Sequence, residues 1–100
     1  MSDKINVFAS FYPKENCLND VQNILANMVD PTRAEPGCHQ YDFFKSNTGD
    51  SFHLVECYAG QSGLAAHRET EHYKTYRKLI EALLEKPIAV TVMEEIDVKK

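Results

Sequence analysis

The chain has 100 residues, 26% charged and 43% hydrophobic, the make-up of one ordinary globular domain rather than a disordered chain, a rod or a fibre. Its net charge of −4 leaves no basic footprint for nucleic acid or an anionic membrane surface. No apolar stretch nears the ~20 residues of a membrane helix, MSDKINVF lacks the marks of a secretory leader, and three cysteines without a CxxC pair suit a reduced, cytoplasmic protein.

Residues 4–12 alternate Ile5, Val7, Ala9 and Phe11 with Asn6, Phe8, Ser10 and Tyr12, which reads as a strand closed by Pro13. Asn16 is placed to cap a helix over 17–29, where Cys17, Val21, Ile24, Leu25 and Met28 recur at the helical period. Pro31 should end it, because the residue before a proline is pushed out of the α region. Residues 32–37 connect. Two strand-like runs, 38–46 and 51–59, flank Asn47-Thr48-Gly49-Asp50, the pattern of an antiparallel hairpin. After Gly60-Gln61-Ser62-Gly63, residues 61–69 read as a short helix. Thr70 is placed to cap a second helical run whose one face carries Tyr73, Tyr76, Ile80, Leu83 and Leu84. Pro87 closes that run, and 88–96 form a last strand.

The order β-α-β-β-α-β predicts an α+β, ferredoxin-like fold: one domain over 1–100, with a four-stranded antiparallel sheet and helices on one face. Both phases of the strands are apolar. Phe8 and Tyr12 oppose Ile5, Val7 and Phe11, Phe44 opposes Tyr41 and Phe43, and Val55 and Cys57 oppose Phe52 and Leu54. The helices cover only one face. The simplest second cover is another copy, so a face-to-face homodimer is expected.

Among residues that carry chemistry, His67 and His72 are five apart with Thr70 between them. There is no HExxH, no CxxC and no carboxylate–histidine set at metal spacing, so no metal is expected. No glycine-rich loop follows the first strand, so no dinucleotide or flavin phosphate is expected either. The third strand, SFHLVECYA, lacks the aromatic signature of an RNA-binding module. His72, in a first helical turn, should be neutral there and able to take a proton or donate a hydrogen bond. Nothing in the sequence activates the cysteines as nucleophiles.

Three runs remain: Glu35-Pro36-Gly37-Cys38-His39-Gln40-Tyr41, Val55-Glu56-Cys57-Tyr58, and Ala66-His67-Arg68-Glu69-Thr70-Glu71-His72-Tyr73. In order and spacing they resemble the antibiotic biosynthesis monooxygenase family, in the pattern E-x-G-C-x-x-Y, V-E-x-W-or-Y, A-H-x-x-x-x-H-F-or-Y. The resemblance spans Lys4 to Ile96, and relatives include small quinol monooxygenases and autoinducer-2-processing enzymes. It implies a ferredoxin-like dimer joined through its sheets, a dimeric α+β barrel, with a pocket between sheet and helices. It also implies oxygenation of electron-rich aromatics by dioxygen without flavin, metal or haem. The matched helix positions make His72, His67 and Tyr73 catalytic and Tyr76 substrate-binding, and Asn6 and Glu56 join the substrate-binding set from the strands if their face turns toward the helices. The haem-degrading branch uses a tryptophan and a haem-ligating histidine; here His67 and Arg77 stand in those places. Glu71 stands where proline often precedes the second histidine. The expectation is a cofactor-independent monooxygenase acting on a quinol-like or other enolisable small molecule, with His72 as the base and His67 acting on binding. The alternatives are an isomerase of a small phosphorylated signal, or a non-catalytic dimeric ligand-binding or stress protein of the same fold.

Overall fold

A computed structural model describes residues 4–99, so the first three residues of the stretch read against a leader lie outside the described residues. Strand β1 (Ile5–Phe11) leads through a short 3-10 turn into helix α1 (Leu18–Arg33). Strands β2 (Cys38–Lys45) and β3 (Phe52–Tyr58) form the expected hairpin. Its turn uses Gly49 at φ 80°, a conformation open to glycine. Helices α2 (Gly60–Arg68) and α3 (Glu71–Ile80) follow, then a 3-10 turn and strand β4 (Ala89–Met93). The sheet runs β2-β3-β1-β4, with every neighbouring pair antiparallel. This is the ferredoxin-like arrangement, with the helices on one face.

The core lies between that face and α1 and α3. In α1, Val21, Leu25, Met28 and Thr32 form one buried stripe. It meets Phe11, Phe52 and Leu54 from the sheet and Ile80 from α3, all with almost no exposed surface. The strand pairing fixes which side chains face the helices. Val7 lies opposite Glu56, and Glu56 opposite Tyr41. Because side chains alternate along a strand, Phe8, Val55 and Phe44 fall on the other face, where Phe8 and Phe44 are exposed.

Three local readings are corrected. Pro31 does not end α1, which runs on to Arg33. Proline removes its own N–H and crowds the carbonyl four residues back, and one helical and one tertiary bond hold the last turn. Ala34 N–H reaches the Asp30 carbonyl, Arg33 Nε donates to the Tyr41 carbonyl at 3.0 Å, and Thr32 is buried. Asn16 does not cap α1; a 3-10 turn over Glu15–Cys17 intervenes, and Cys17 takes the cap position without a side-chain bond. The last helix stops at Ile80, before Pro87, and β4 is shorter than 88–96. Among the described residues, no helix is long and apolar enough to cross a membrane.

Candidate functional site

The site begins with two glycines. The loop after α1 lies directly on α2, where a Cβ on Gly37 would stand 3.0 Å from the Cα of Gly63. The Gly37 carbonyl accepts the Ala59 N–H at 2.8 Å, which pins the loop to the start of α2. Gly63 and His67 are one turn apart on α2, and both are buried. A loop pressed on Gly63 therefore brings Glu35 over His67.

The carboxylate of Glu35 holds two imidazoles. His67 Nδ1 lies 2.9 Å from Oε2 and 3.1 Å from Oε1, and His72 Nε2 lies 2.5 Å from Oε2. Thr70 sets the angle between the helices that carry these rings. Its hydroxyl accepts the Tyr73 N–H at 3.2 Å as the N-cap of α3 and donates to the His67 carbonyl at 2.7 Å. His72, in the first turn of α3, is thereby turned back toward Glu35.

The two histidines sit differently. The His67 side chain is 3% exposed and that of His72 26%. The His67 ring stacks on Tyr58 at 4.9 Å and meets the edge of Tyr73 at 5.0 Å. Burial holds the His67 imidazole below its ordinary range; His72 and Arg68 push the same way, and Glu35 opposes. A neutral ring that donates Nδ1–H to a carboxylate keeps a lone pair on Nε2. Among the described residues, no hydrogen-bond partner meets that Nε2.

A cavity of about 30 Å³ opens between the sheet and α2 and α3, room for about one water. Glu56 and Tyr41 line it from the sheet, His67 and Arg68 from α2, and Tyr73, Tyr76 and Arg77 from α3. Glu56 is buried and accepts the Tyr58 hydroxyl at 2.6 Å. Burial pushes its carboxyl up to about 7, against the Tyr58 hydrogen bond and the Arg68 charge, while Glu35 adds to the rise. Burial likewise pushes the Tyr41, Tyr58 and Tyr76 hydroxyls above the ordinary phenol range, so they remain donors. Arg77 donates to the Tyr73 hydroxyl at 2.9 Å, and among the described residues its buried Nε has no partner. The cavity thus joins an imidazole lone pair, a carboxyl poised near neutrality and two guanidinium groups.

Of the residues singled out in the sequence, His67, Tyr73, Tyr76 and Glu56 gather at this cavity. His72 joins the group through Glu35 without lining the cavity. Asn6 does not reach it. It is one register step from Val7, on the opposite face, where its amide donates to Glu95 at 3.4 Å beside a separate hollow. Sequence reading assigned no role to Glu35, Tyr41, Arg68 or Arg77. Glu35 and Tyr41 had a signal, their places in the E-x-G-C-x-x-Y run. The expected lack of a carboxylate–histidine set is also corrected. Glu35, His67 and His72 come from three elements and place their ligand atoms within 4.8 Å of one another.

Residues 4–79 match the family described as antibiotic biosynthesis monooxygenase. The chain is similar to Rv0793 of Mycobacterium tuberculosis, which carries a provisional monooxygenase name, at 37% identity over 97 residues, 97% of this chain and 96% of that protein. The solved structure of Rv0793 superposes with a TM-score of 0.93 at 36% identity, over 97% of this chain and 99% of that one. PA3566 of Pseudomonas aeruginosa superposes with a TM-score of 0.90 at 26% identity, over 97% and 98%. A further structure, described as an antibiotic biosynthesis monooxygenase, gives 0.87 at 26% identity, over 93% and 99%.

Proposed function

Because the chain belongs to the antibiotic biosynthesis monooxygenase family, we propose that it is a cofactor-independent monooxygenase of a quinol-like or other enolisable small molecule, which reacts with dioxygen in the cavity between sheet and helices. One observation carries the reading: Glu35 fixes the Nδ1–H of His67, and the other ring nitrogen has no partner among the described residues, on a side chain that lines the cavity. The role of base therefore goes to His67, with Glu35 and His72 behind it as positioning residues.

In this mechanism His67 Nε2 takes the acidic proton of the bound substrate. Arg68, Arg77 and the tyrosine hydroxyls hold the resulting anion. The anion passes one electron to dioxygen, and the two radicals combine as a carbon-bound peroxide. Glu56, poised near neutrality, supplies the proton that completes the hydroperoxide. Loss of water then leaves a carbonyl. One oxygen atom enters the product, the other leaves as water, and the substrate provides all the electrons. Tyr73 and Arg77, both partly exposed, must swing outward to admit a ring larger than the cavity at rest. Exposed Phe8 and Phe44 support a homodimer through the open sheet face, and three cysteines outside any disulfide fit a reducing cytoplasm.

A second enzymatic reading rests on Arg68 and Arg77. Two guanidinium groups beside a proton-shuttling pair also suit an isomerase of a small phosphorylated molecule. Oxygen uptake separates the two. The wild-type protein should consume dioxygen with hydroquinone, naphthohydroquinone or anthrone, in step with product. Absence of uptake across all three would overturn the oxygenase reading.

A further inference from the structure

We propose that Glu35, His67 and His72 form a binding site for one divalent transition-metal cation, and that occupancy of this site silences the proton-accepting nitrogen of His67.

The donor set is two imidazole nitrogens and one carboxylate, which suits zinc, cobalt or nickel rather than magnesium or calcium. Such cations sit ~2.0–2.2 Å from these ligands, which leaves neighbouring donors roughly 3.0–3.5 Å apart. The Nδ1 of His67 is already 2.9 and 3.1 Å from the two Glu35 oxygens. The contact of His72 Nε2 with Oε2, 2.5 Å long, has to open by roughly half an ångström for such bonds, and the donor set, now spread over up to 4.8 Å, has to draw in around the ion. The part that must move is the most exposed of the three: His72 is 26% exposed, whereas Glu35 is 11% exposed and His67 packs between Tyr58 and Tyr73. The exposed His72 edge also gives the ion an entry path and leaves positions for water.

The consequence follows from proton bookkeeping on one ring. A neutral imidazole carries one N–H. Held by Glu35 alone, His67 carries it on Nδ1 and offers a lone pair on Nε2. Bound to a metal through Nδ1, it must carry that proton on Nε2, where it can donate but not accept. On His72 the proton moves from Nε2 to Nδ1. No net proton is released from the two rings, and the same trio serves either as base support or as cation site. This second half rests on the oxygenase reading above; the binding half does not.

The test begins with protein freed of metal by EDTA and titrated with Co²⁺, read by visible d–d absorption. One equivalent per chain is expected to bind. The bands should be lost in Glu35→Gln and in His72→Gln, each with an unchanged far-ultraviolet circular dichroism spectrum. No saturable absorption, or absorption that survives in both variants, would overturn the site. Oxygen uptake is then followed as Zn²⁺ is added to wild-type protein. Inhibition that tracks occupancy and is reversed by EDTA is expected; full turnover at full occupancy would overturn the switch. Absence of uptake in EDTA counts against the oxygenase reading, while the Co²⁺ titration still decides the site.

Discussion

Each face of the sheet holds a histidine in aromatic company, and the two are bonded in opposite ways. On the open face, His53 has Ser10 Oγ 2.8 Å from Nδ1 and Ser51 Oγ 3.0 Å from Nε2, and it stacks on Phe8. Both of its nitrogens are occupied, so the ring braces β1 against β3. On the helix face, His67 has one nitrogen held by a carboxylate and the other without a hydrogen-bond partner among the described residues. A histidine satisfied at both ends is architecture. One held at a single end and turned toward a cavity is available for chemistry.

The strongest way to break this comparison is to remove each ring in turn. His67→Ala should lower turnover of a substrate that the wild type converts by about 10²–10⁴-fold, the usual contribution of a general base. His53→Ala should leave turnover within a few-fold and act on stability. Equal losses in both variants would erase the distinction.

The buried carboxyl of the helix face gives the next effect. Glu56 titrates near its ordinary 4.5 in the unfolded chain and near 7 in the fold. Between those values the folded state binds more protons, so stability should fall as pH rises through the window. The full interval corresponds to about 3 kcal/mol. Glu35, Arg68 and the Tyr41, Tyr58 and Tyr76 hydroxyls surround the group and also shape the wild-type profile. The informative quantity is therefore the difference from Glu56→Gln, which should lack this slope in urea unfolding between pH 4.5 and 7.5. Parallel profiles for the two proteins would show that Glu56 titrates normally.

Gly37→Ala comes third. Its Cβ would press on the backbone of Gly63, so about 1–3 kcal/mol of stability should be lost, in the range of overpacking. Turnover should fall further than that loss of folded protein explains, because Glu35 shifts off His67. The smallest effect on the fold belongs to the open face. Phe44→Asp should change monomer stability by no more than about 0.5 kcal/mol, as surface substitutions do. Sedimentation should nonetheless move from about twice the 11.4 kDa chain mass toward the single chain. A wild-type protein that sediments as a monomer would remove the reason for the exposed aromatics.

The elements were legible where local chemistry settles them. Pro13, Gly49 and Thr70 each mark a break for a reason confined to a few residues, and the element order followed. Pro31 misled because one of the bonds that carry α1 past it, from Arg33 to the Tyr41 carbonyl, comes from a strand remote in sequence. Asn6 was placed with Glu56 because both phases of β1 are apolar, which leaves the period clear and the face open. The core of the site was hidden for a topological reason. Glu35 lies 32 residues from His67 and 37 from His72, and the packing of Gly37 on Gly63 brings them together. No periodicity within one helix or strand encodes that contact.

That glycine contact has a thermodynamic consequence. Glu35 is fixed at its root by backbone lying on backbone and at its tip by two imidazoles, so few of its torsions stay free in the folded protein. The entropy of arranging it is surrendered as the chain folds, long before any ligand arrives. An encounter with substrate then begins from an ordered carboxylate and an oriented ring, and less disorder remains to be removed on the way to reaction.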